Sequence, residues 1–73
     1  MQERIAPLVR EAATLEYIAD ALAQAAGVHA GVGDRGGART LRRMSREHRV
    51  KAMLRRGLAA AILGRELPAA GPR

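Results

Sequence analysis

Seven positions, Ile5, Leu8, Ala12, Leu15, Ala19, Leu22 and Ala26, are all apolar and follow one another at alternating steps of three and four residues. No other feature of the chain constrains its fold as strongly. Steps of three and four keep returning to one side of an α-helix, whereas a strand would show alternation at every second residue. The pattern therefore predicts one helix over about residues 5–26 with an apolar seam turned toward another helix. Val9 and Ile18 widen that seam. The alternation of alanine with leucine has a packing meaning: the small residues let a neighbouring helix come close, and the leucines fill the space on either side. Pro7 fits the first turn of such a helix, where its missing N–H costs nothing, and Gly27 is a natural stop.

Residues 27–38 read GVHAGVGDRGGA, with five glycines in twelve residues. Each glycine costs about 1 kcal/mol in a helix relative to alanine, so the segment reads as a flexible connection, longer than most helix–helix loops. A second helix is expected over about residues 39–66, with Thr40 or Ser45 as the capping residue. Its apolar residues change phase near Ser45. Leu41, Met44 and His48 share one side, while Val50, Met53, Leu54, Gly57 and Ala61 share another. A bend or break near residues 44–46 is therefore the alternative to one continuous helix. From Gly57 to Gly64 the sequence GLAAAILG is apolar all round, which calls for burial on every side and, in so short a chain, for a second subunit or a partner. Pro68 ends the helix, and residues 67–73 read as a frayed tail.

The expected architecture is all-α: one small domain spanning residues 1–73, folded as a helical hairpin that self-associates into a helical bundle. Composition supports this by removing the other staples. The chain has 73 residues, no cysteine, and Tyr17 as its only aromatic residue, so disulfides and an aromatic core are excluded. Leu8, Leu15, Leu22, Leu54, Leu58 and Ile62 are the candidate interface residues for an oligomer or partner. His29 and His48 have no third ligand at a metal-like spacing, and no nucleophile, base and orienting group form a set, so neither a metal, a cofactor nor enzymatic activity is expected. The longest apolar run, Leu58 to Leu63, is far below the ~20 residues of a membrane span, and the first residues lack the apolar core of a signal peptide. The expectation is a cytoplasmic protein with no membrane partner.

Charge is concentrated rather than spread. Residues 1–34 carry two basic and five acidic residues, for −3; residues 35–56 carry nine basic residues against Glu47 alone, for +8; the remainder adds +1 to reach the net +6. On a helical projection Arg39, Arg42, Arg43, Arg46, Arg49 and Arg56 fall on a common side, with Lys51 and Arg55 opposite. An arginine ridge at helical spacing is the electrostatic footprint of a nucleic-acid binder, because the planar guanidinium donates two parallel hydrogen bonds to phosphate. Glu16 and Asp20, one turn apart on the first helix, would pair with some of these arginines in an antiparallel hairpin, but too few acids are present to neutralise the stretch.

Two local motifs need weighing. Gly31-Val32-Gly33-Asp34-Arg35-Gly36 matches GxGxxG, but the strand that a dinucleotide site requires is not present before it. A glycine-rich loop running into a helix can still present backbone N–H groups to an anion, with Arg35, Arg39 and Arg42 to reinforce it. Ile18, Ala19 and Leu22 are placed as in the opening helix of a helix-turn-helix, yet the glycine segment is too long for its three- to four-residue turn.

The resulting expectation is a small, non-enzymatic, basic helical protein. It binds nucleic acid phosphates through Arg35, Arg39, Arg42, Arg43, Arg46, Arg49 and Arg56. The alternative is an assembly or adaptor subunit whose alanine–leucine faces dock on a protein partner and whose arginines meet an acidic protein surface.

Overall fold

Two long helices joined by a three-residue turn make up residues 2–66, the part of the chain that the structure, a computed structural model, describes. Helix α1 spans Gln2–Gly31 and α2 spans Arg35–Glu66, with no strand among the described residues. The helices pack against each other along their length as a flat hairpin. Residues 67–73, expected as a frayed tail, lie outside the described residues.

The connection is far tighter than the glycine content predicts. Helix α1 does not stop at Gly27 but runs to Gly31, and α2 starts at Arg35 rather than near residue 39. Only Gly33 requires glycine's conformational freedom, at φ 84°. The N–H of Gly33 donates to the Ala30 carbonyl and that of Asp34 to the His29 carbonyl, at 3.1 and 2.8 Å. These two bonds form the left-handed cap that closes many helices. Asp34 then serves α2. Its carboxylate accepts the Gly37 N–H at 2.9 Å, and its carbonyl accepts the Ala38 N–H at 3.1 Å. That is an N-cap, so the capping residue is Asp34 and not Thr40 or Ser45. Two caps sharing one residue leave no room for a loop, and helix packing overrides the propensity cost of the remaining glycines. Because α1 begins upstream of residue 5, Pro7 sits beyond the first turn, where it leaves one backbone carbonyl without an intrahelical donor.

Small residues hold the helices together. Ala12, Ala19 and Ala26 of α1 are buried, as are Ala38, Ser45, Ala52 and Ala59 of α2, each set recurring every seven residues. A seven-residue repeat keeps one stripe facing the partner helix when the pair wraps gently around itself. The Ser45 hydroxyl donates to the Ala19 carbonyl on the opposite helix at 2.8 Å. A hydroxyl so short can reach a neighbouring backbone only where the helices approach closely. This bond fixes the antiparallel register, which sets Ala26 opposite Ala38 and Ala12 opposite Ala52. Antiparallel packing along the whole length also distinguishes the fold from a helix-turn-helix, although the turn itself is short enough for one.

Ser45 lies in the middle of an unbroken helix, so no bend or break occurs at residues 44–46. The apparent phase change arises because Val50, Met53 and Leu54 point outward, at 49%, 62% and 66% exposure, while the inward stripe consists of residues too small to register as a hydrophobic pattern. Likewise Gly57–Gly64 is not enclosed within the chain. Ala59 and Ile62 face α1, but Leu58 and Leu63 are exposed and no neighbour lies near either glycine.

Candidate nucleic-acid interface

The seam divides the hairpin into two broad faces. Residues four past each seam position turn to one side: Glu16 on α1, and Arg42, Arg49 and Arg56 on α2, with Arg35 continuing the same seven-residue row. Arg39 and Arg46, one past the seam, flank that row. Seven of the ten basic residues of α2 thus share one face, and the other three, Lys51, Arg55 and Arg65, lie toward the opposite one.

Ion pairs separate these arginines into groups. Arg56 makes a two-pronged contact with Glu16, from Nε at 2.9 Å and Nη2 at 2.7 Å. Arg49 Nη1 meets Asp20 at 3.0 Å. On the opposite face Arg55 Nε meets Glu11 at 3.1 Å. The Arg56 hydrogen bonds hold the Glu16 carboxyl below the usual carboxylate range, and Glu16 in turn raises Arg56 further. Arg49 and Arg56 therefore fasten α2 to the acidic side of α1, the pairing that the sequence made available through Glu16 and Asp20.

Toward the turn, no such neutralisation occurs. Arg35, Arg39, Arg42 and Arg46 line one concavity, floored by Ala30 and Ala38. Among the described residues no carboxylate lies within ion-pairing distance of these four. Arg43, at the outer margin of the face, does not line the concavity. The seven arginines expected to act as one ridge are thus four in a shared hollow, two engaged with α1 and one peripheral.

The helix N-terminus beside this hollow is already occupied. Asp34 takes the Gly37 N–H, and the His29 Nδ1 lies 2.7 Å from the other Asp34 oxygen. The Gly37 bond first, then His29, keeps the Asp34 carboxyl below its usual range. A side chain on Gly37 would run into both Asp34 and His29, so glycine is needed here for close approach rather than for backbone freedom. The glycine-loop anion cradle is accordingly filled by the protein's own carboxylate. His29 sits in the last turn of α1 rather than in a loop, and His48 is a half-buried helix residue whose Nδ1 donates to the Met44 carbonyl at 2.8 Å. Among the described residues no cluster of three or more His, Cys, Asp or Glu side chains is placed to hold a metal ion, and no helix is long and apolar enough to cross a membrane.

The candidate interface residues also divide. Leu8, Leu15 and Leu22 are half-buried and Ile62 is buried, all three past the seam on the face away from the arginines. Leu58 lies beside them at 50% exposure, whereas Leu54 points away from α1 altogether. Compared with known proteins, the chain matches no family model, no curated protein and no solved structure.

Proposed function

We propose that this protein binds nucleic acid through the phosphate backbone, using Arg35, Arg39, Arg42 and Arg46. The observation that supports this reading is the contrast within one helix: four arginines converge on a hollow with no carboxylate among the described residues to meet them, while the next two along the same face are paired with α1. Four like charges held together on a rigid scaffold create a local field that favours a polyanion over a single small anion. The side chains span residues 35–46, about 17 Å of helix at ~1.5 Å per residue, the length of roughly five nucleotide steps along a strand. With no aromatic side chain at the hollow to stack on bases, contact is to phosphates and carries little sequence preference. Arg43 extends the positive margin, and Arg49 and Arg56 act mainly by holding the helices in place.

Fluorescence anisotropy with labelled single-stranded and duplex oligonucleotides tests this. Reversing Arg39 and Arg42 to Glu should abolish binding at low salt. Reversing Arg10 and Arg65, an equal change in net charge away from the hollow, should leave most of it. Absence of binding by the native protein at low salt, or equal losses in the two double variants, would refute the reading.

A further inference from the structure

We infer that the broad face opposite the arginines docks a second copy of this chain, forming an antiparallel four-helix assembly. The first reason is the poverty of the hairpin's own core. Ile62 is the only buried apolar residue larger than alanine among the described residues. Leu8, Leu15 and Leu22 of α1 and Leu41 and Met44 of α2 are each left half-covered along the groove between the helices, with Leu58 exposed at its edge. Among the described residues no further element covers them.

The size of the face fits the occupant. Two helices of about 10 Å diameter, the longer one 32 residues or about 48 Å long, present roughly 1,000 Å² in projection, and a stable interface needs about 800 Å² from each partner. Charge decides which face two copies can share. Each chain carries +6, so two copies can meet only where their arginines do not. This face carries three basic residues of α2 against seven on the other: Arg55 is paired with Glu11, Lys51 and Arg65 lie exposed toward its far half, and between them and the turn the groove is lined mainly by apolar residues. A twofold pairing through this face leaves the two arginine hollows on opposite outer surfaces, about as far apart as the assembly allows. It also matches two grooves of identical length and shape, as in helical bundles. The assembly would present one polyanion-binding hollow on each side, but its existence does not depend on that activity.

The chain has no cysteine, so single cysteines introduced at chosen sites report on burial without interference. Leu58→Cys probes the proposed interface and Ala60→Cys the arginine side, where residue 60 is exposed. Thiol-labelling rates are measured across a dilution series, alongside the solution mass of the native protein. The expected result is a mass of two chains at roughly 100 μM, with labelling of Leu58→Cys slowed about tenfold relative to the dilute limit and Ala60→Cys unchanged. A folded, helical monomer at that concentration would overturn the proposal and leave the face to a different protein. A dimer that protects Ala60→Cys instead would overturn it by placing the contact on the arginine side. Both readouts use mild substitutions at exposed positions, so neither depends on a variant that fails to fold.

Discussion

Replacing Ala52 by leucine tests how the hairpin is held together. Ala52 is 1% exposed and stands opposite Ala12, which is fully buried. A leucine adds three carbons at a point where two helices meet through methyl groups, and the backbone separation must grow to admit them. Overpacking of this kind costs about 1–3 kcal/mol. Separation also stretches the bond from the Ser45 hydroxyl to the Ala19 carbonyl, one helix turn pair away, and losing it adds about 1 kcal/mol. The combined loss is about 3 kcal/mol. At 4–8 °C per kcal/mol for a chain of this size, that lowers the melting midpoint by roughly 12–24 °C. The control is Ala60→Leu, which makes the same chemical change at an exposed site of the same helix and should stay within about 0.5 kcal/mol. Circular dichroism melts at one fixed protein concentration compare the two. If Ala52→Leu melts with the native protein, the close approach through small residues is not what stabilises the fold.

Gly33→Ala should destabilise by about 1–2 kcal/mol, because φ 84° forces the new side chain against its own carbonyl; a denaturant midpoint equal to that of the native protein would contradict the turn geometry. Glu16 and Asp34 both have depressed folded-state pKa values, so the stability they contribute is complete above their ordinary range near pH 4 and is lost as the pH falls through their lower folded values. Melting midpoints followed down to pH 2 should therefore drop less for a Glu16→Gln, Asp34→Asn double variant than for the native chain; an equal or steeper drop would show that these carboxylates do not set the acid limit.

The sequence reveals the inward side of α1, though not its ends, and α2 much less well. In α1 the seam combines alanine with leucine, and the large residues announce the stripe. In α2 the stripe is Ala38, Ser45, Ala52 and Ala59, and the large residues Val50, Met53 and Leu54 point outward. A hydropathy pattern follows bulk, so in α2 it marks the outward side of the helix. The seven-residue recurrence of small residues was present and would have located the seam. The connection is hidden for a related reason: glycine content between residues 27 and 38 signals flexibility, whereas only one of these glycines takes a left-handed conformation and another makes room for Asp34 and His29. For the candidate site, the charge asymmetry and the arginine face were legible because helical spacing alone sets them. Which arginines are matched by carboxylates was not, since that depends on the antiparallel register fixed by Ser45 and Ala19.

The most direct test of the account is the salt dependence of oligonucleotide affinity, taken one arginine at a time. Four phosphate contacts predict a slope of log affinity against log salt of about −3.6 on duplex DNA, or about −2.8 on a single strand. Arg39→Ala should reduce the duplex slope by about 0.9, one contact's worth, whereas Arg56→Ala, already matched by Glu16, should change it little. A slope near zero, or equal decrements for Arg39 and Arg56, would contradict the claim that the unpaired arginines at the turn end of α2 carry the binding.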